Sequence, residues 1–90
     1  MHTNLGKEKL IARVRRIRGQ LEAVERALES EKPCSQILQT VAAARGALNG
    51  LVATMIADHV EFHVLDQKRP SKTQRKAADD LNDIVRAYLR

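Results

Sequence analysis

One cysteine, Cys34, and three histidines, His2, His59 and His63, are the side chains in this 90-residue chain best suited to soft-metal or nucleophilic chemistry. His59 and His63 are four residues apart, which on an α-helix puts both on one face in consecutive turns. Two neutral imidazoles at that spacing can hold a first-row transition ion, and a thiolate adds affinity for the softer members of the series. The same spacing also suits two ordinary polar residues, and Cys34 also suits a small residue capping a helix. What sets them apart is that Cys34, His59 and His63 all lie in one long apolar-periodic stretch, 34–64. His2 sits beside the terminal amine, a flexible donor pair or simply a tail residue.

Cys34 and His59 are 25 positions apart, roughly 37 Å along a continuous helix. The two therefore cannot share an ion within one chain. In an antiparallel pair of such helices from two chains, Cys34 of one meets His59 and His63 of the other. A dimer would then carry two symmetric sites across its interface.

The elements that must position these residues are helices. The first is expected over about 5–29, where Leu10, Val14, Ile17, Leu21, Val24 and Leu28 keep a 4-3-4-3-4 spacing. Residues 1–4 are left as a flexible tail. After Ser30, Glu31 and Lys32, Pro33 suits a first helical position, and a second helix is expected over about 33–65. Its seam is Ile37, Val41, Ala44, Leu48, Leu51 and Met55. Beside that seam Ala42, Ala43, Gly46, Ala47 and Gly50 would admit a close partner helix, as would Gly19 on the first helix. A polar break follows at 66–70. Ser71 with Gln74 forms a capping-box pattern opening a third helix over about 71–89, with Ala78, Leu81, Ile84 or Val85, and Tyr88 as its apolar face.

The expected fold is all-α, a single domain over 1–90 built as a three-helix protomer. Two long antiparallel helices and a short third would pair into a dimeric four-helix bundle. A core this thin needs partners to complete it. With Tyr88 and Phe62 as the sole aromatics, the core must be aliphatic.

Sixteen Lys and Arg against eleven Asp and Glu give a net charge of +5 and a pI near 9.9. Such a balance favours a polyanionic partner. Six basic residues lie between Lys7 and Arg18 against the single acid Glu8, with Arg13 and Arg16 on one face. Arg45 interrupts an otherwise apolar stripe of the second helix. With so few aromatics, base stacking on single strands is disfavoured, and duplex DNA contacted through its phosphates fits better. A lone cysteine gives no disulfide framework, and neither a signal peptide nor an uninterrupted apolar run of membrane length is expected. A cytoplasmic, soluble protein is the reading.

The segments RVRRIRGQLEAVERALE, KPCSQILQ, VAAARGALNGL and DHVEFH resemble the CsoR/RcnR family of bacterial repressors over nearly the whole chain. The resemblance implies an all-α dimer that pairs into a homotetramer. It would bind operator DNA without a helix-turn-helix and release it on binding an effector. Arg13, Arg16 and Arg45 match positions that carry DNA contacts. The four effector positions read His2, Cys34, His59 and His63, similar to the RcnR-type nickel and cobalt sensors that derepress efflux. Ni(II) or Co(II) is thus the implied ion, with Zn(II) as a further candidate. The copper-type pattern has a cysteine where His63 stands. The body of the chain is also similar to the formaldehyde-responsive FrmR-type branch, which uses the equivalent of Cys34 with an N-terminal proline amine. Here His2 replaces that proline, and His63 stands where that branch usually has glutamate.

Two other classes compete on the residues alone. A metal buffer would use the same ligands without the arginines. An enzyme with Cys34 as nucleophile and a histidine as base lacks a third, orienting group.

Overall fold

A computed structural model describes residues 4–64 and 69–89, with side chains described for 6–62 and 69–89. Within these, the chain is helical and contains no strand. Helix α1 spans Asn4–Glu29, α2 spans Cys34–His59, a π-helical turn covers Val60–Val64, and α3 spans Lys72–Tyr88. Residues 1–3 of the expected tail, His2 included, and 66–68 of the break lie outside the described residues, while Asn4, expected in the tail, already belongs to α1.

Helix α1 and helix α2 form an antiparallel hairpin closed by a tight C-cap. The Glu31 N–H donates to the Leu28 carbonyl at 3.1 Å and the Lys32 N–H to the Ala27 carbonyl at 3.0 Å, the paired bonds of a Schellman motif. Such a motif needs a left-handed residue after the cap, and Glu31 supplies it with φ 55°. Pro33 does not open the helix as its first residue. With φ −55° and ψ 142° it stands extended as the N-cap, and helical geometry starts at Cys34. Proline cannot donate a backbone bond and here it holds the chain straight into the first turn.

Each heptad seam divides into two stripes. On α1, Leu10 and Ile17 are buried and Val24 half-buried; on α2, Ala44 is buried with Ile37 and Leu51 half-buried. These residues, seven apart on each helix, form the inner contact of the hairpin. The alternate positions Val14, Leu21, Leu28, Val41, Leu48 and Met55 are all between 42% and 59% exposed. A seam with its a and d positions pointed two ways is half of a four-helix bundle.

The dimensions agree. The chain measures 55 × 27 × 11 Å, with a radius of gyration of 17.1 Å. A compact chain of this length would have a radius near 12 Å, and 11 Å is about the thickness of one helix with its side chains. The protomer is a slab one helix deep.

Within the protomer, nothing lies within 4 Å of a Cβ built at Gly19 or Gly46, and at Gly50 the Arg13 guanidinium does, at 3.5 Å. Two expectations differ from the structure. The third helix faces α2 differently from its apolar pattern. Ala78 is buried and Val85 half-buried, but Leu81, Ile84 and Tyr88 are exposed, because α3 seats on the stripe through Arg75, Ala78, Asn82 and Val85. Finally, Cys34–Phe62 is long and apolar enough to cross a membrane by length and composition, with mean hydropathy 1.3. Arg45 near its middle would cost about 2.5–3.5 kcal/mol in a bilayer. Its apolar positions fall in heptad stripes, as packing against other helices requires.

The capping box at the start of α3 forms as the sequence pattern predicts. The Gln74 N–H donates to Ser71 Oγ at 3.0 Å, and the Ser71 N–H donates to Gln74 Oε1 at 2.8 Å.

Candidate effector site and DNA face

Cys34 is the first residue of α2 and His59 its last, and both are exposed. An α-helix of 26 residues holds such ends about 37 Å apart. They do not meet within one protomer, as the sequence spacing requires. Among the described residues no three His, Cys, Asp or Glu side chains converge on a metal-sized site.

The backbone of 63 follows in the π-helical turn Val60–Val64. Its bonds run i→i+5 instead of i→i+4, which widens the turn after His59. The relation between 59 and 63 is therefore not the α-helical one that a four-residue spacing implies. No local sequence signal announces such a turn.

Antiparallel pairing also fixes what lies beside each end of α2. Glu29 and Cys34 flank the connection, and the Arg13 guanidinium lies over Gly50. By the same register, the start of α1 at Asn4 lies level with His59. The first residue of α1 thus lies at the histidine end of α2, and Cys34 lies at the opposite end.

The turn after His59 is held by α3. Val60 is buried against Ala78, with Ile56 packed beside them. Next to this seat, Arg75 Nη1 donates to Glu61 Oε1 at 3.1 Å and Nη2 to Oε2 at 2.8 Å. The guanidinium holds the Glu61 carboxyl below its ordinary range, chiefly through these hydrogen bonds, and Glu61 in turn raises Arg75. This pair, fourteen residues apart, was not visible in the sequence because nothing local links the two positions.

Arg13, Arg16 and Arg45 are all exposed, and among the described residues none is paired with a carboxylate. The hairpin register puts Arg45 level with Arg18, so all three fall within roughly 8 Å along the bundle axis. Exposed, unpaired guanidinium groups at one level of a helical slab suit contacts with phosphates.

The fold thus describes a small helical protein with open apolar stripes on both long helices, Cys34 and His59 exposed at opposite ends of α2, and a cationic band. Comparison with known proteins gives this class its place. The model for "Metal-sensitive transcriptional repressor" matches residues 6–87, and the chain belongs to that family, the CsoR/RcnR repressors. Among relatives, it is 38% identical over 85 residues to the transcriptional repressor RcnR of Citrobacter koseri, covering 94% of this chain and 90% of that one. It is 44% identical over 89 residues to an uncharacterised protein from the bioA 5′ region of Serratia marcescens, covering 99% and 98%. Among solved structures it resembles a glutamate-to-histidine variant of the formaldehyde-responsive regulator FrmR of Salmonella enterica serovar Typhimurium. That match has a TM-score of 0.72 and 44% identity, over 98% of this chain and 99% of the other. Membership makes the protein a transcriptional repressor and not an enzyme, and implies DNA binding, oligomerisation and response to a transition metal.

Proposed function

We propose that the protein, as one domain over 1–90, is a cytoplasmic repressor that binds operator duplex DNA in its apo form. It releases that DNA on binding Ni(II) or Co(II), and so derepresses a metal efflux gene. The observation that carries this reading is the placement of exposed Cys34 and exposed His59 at opposite ends of one helix with an open heptad stripe between them. A second copy laid antiparallel on that stripe covers Val41, Leu48 and Met55 and brings each Cys34 to the other protomer's histidines. Two such dimers form the tetramer.

Cys34 of one protomer with His59 and His63 of the other would hold the ion, and His2 joins them from the segment that precedes α1. A thiolate with imidazoles is a donor set suited to late first-row ions, Zn(II) included. Bound there, the ion supplies a bridge between protomers. This chain's residues do the rest: α2 carries both half-sites, and the hairpin connects them to Arg13, Arg16 and Arg45 as the DNA face. Moving one helix against the other changes the spacing of the arginines, and the coupling is expected at about 1–3 kcal/mol.

The likeness to a formaldehyde-responsive regulator supports a second reading. Formaldehyde would condense with the Cys34 thiol and the N-terminal amine to give an S–CH2–N bridge and one water. Fluorescence anisotropy on the protein's own promoter DNA, titrated separately with Ni(II), Co(II), Zn(II), Cu(I) and formaldehyde, decides between them. Release by Ni(II) or Co(II) that is lost in His63→Ala supports the metal repressor. Release by formaldehyde alone establishes the second reading, and failure to bind DNA contradicts both.

A further inference from the structure

The π-helical turn that joins His59 to His63 is a rare backbone state, found mostly as single turns, and so one whose surroundings matter. Here the surroundings are α3. Two independent contacts reach the turn from that helix. One is apolar, Val60 against Ala78 with Ile56 beside them. The other is polar, the forked pair between Arg75 and Glu61 at 2.8 and 3.1 Å.

The guanidinium is itself oriented. Asp79, one turn on along α3, places Oδ1 3.5 Å from Arg75 Nη2, while Arg75 Nε is buried with no hydrogen-bond partner among the described residues. A planar fork gripping both carboxylate oxygens fixes direction as well as distance, which a lysine at that position would not. Since Arg75 and Glu61 are 39% and 46% exposed, the pair adds little to global stability. Its consequence is local, in the backbone of the turn.

We propose that Glu61 and Arg75 are positioning residues for the effector site: α3 pins the turn between His59 and His63, and the pin sets how tightly the two histidines hold a transition ion. This rests on the reading of His59 and His63 as effector ligands. It assigns α3, which contributes none of the four proposed effector residues, a part in effector affinity.

The test uses full-length protein with Arg75→Gln, Glu61→Gln and the swapped pair Glu61→Arg with Arg75→Glu. Lys76→Gln, which breaks the separate Lys76–Asp80 pair at 2.9 Å on the same helix, serves as the control. Hydrogen exchange in the apo protein should be about two- to fivefold faster at amides 60–64 in each single variant, the range an exposed pair can supply. Co(II) affinity by competition titration should fall by a similar factor, while apo DNA affinity stays unchanged. The swapped pair should restore both, and Lys76→Gln should change neither. Unchanged exchange, or faster exchange with unchanged Co(II) affinity, overturns the pin and leaves the effector reading intact. Wild-type protein that takes no Co(II) overturns both.

Discussion

Cys34 and His59 are the two ends of one helix, first residue and last, with both side chains exposed. A rigid rod of 26 residues keeps them too far apart to share a ligand. It also gives them the separation at which an antiparallel copy would exchange them. The distance that excludes a site within the chain would make one between chains symmetric.

The open stripe on α2 is expected to be the dimer seam. Leu48, 48% exposed in the protomer, sits near its centre. Leu48→Arg places a charge there that the partner cannot solvate, and should shift the assembly towards smaller species at micromolar concentration, at a cost of about 2 kcal/mol or more per side. Sedimentation velocity reads this directly. An unchanged sedimentation coefficient would move the interface to another face.

Arg16 is exposed and carries no carboxylate partner among the described residues. Arg16→Ala should therefore leave the fold intact and weaken DNA binding. The slope of log affinity against log salt should fall by about 1 for each phosphate contact removed. Equal affinity at low and high salt in wild type and variant would take Arg16 out of the DNA face.

Glu31 occupies a left-handed conformation, φ 55°, where glycine is favoured after a helix C-cap. Glu31→Gly should raise stability by about 0.5–1 kcal/mol, since relief of the Cβ crowding outweighs the extra freedom of the unfolded chain. Urea denaturation at fixed protein concentration measures it. A lower midpoint would show that Glu31 makes a compensating contact in the assembled protein.

Much of this architecture was legible in the sequence. The 4-3 spacing in both long helices, the proline at the start of α2 and the Ser71–Gln74 box each act within a few residues, so local pattern suffices. The division of each seam was legible in principle too, because Leu10, Ile17 and Val24 are seven apart, as are Val14, Leu21 and Leu28. Reading the seam as one stripe missed that its halves face different helices. What the sequence did not disclose depends on contacts between distant positions. The π-helical turn carries Val60, on which α3 seats, and Glu61 finds Arg75 only once the chain has turned back. The apolar face of α3 was misread because Arg75 and Asn82 look solvated in a pattern, yet lie on its packed side, and Ile84 and Tyr88 look buried and are not.

A shared effector site needs two protomers, and mixing variants tests this most directly. Cys34→Ala protein retains the histidines, and His59→Ala/His63→Ala protein retains the cysteine. Neither alone should show the thiolate-to-Co(II) charge-transfer band. Unfolded together and refolded, they form mixed dimers in which one of the two sites is whole, so about a quarter of the wild-type band should return. Recovery at that level establishes a site shared across the interface. A band present in either variant alone, or no recovery on mixing, would contradict it.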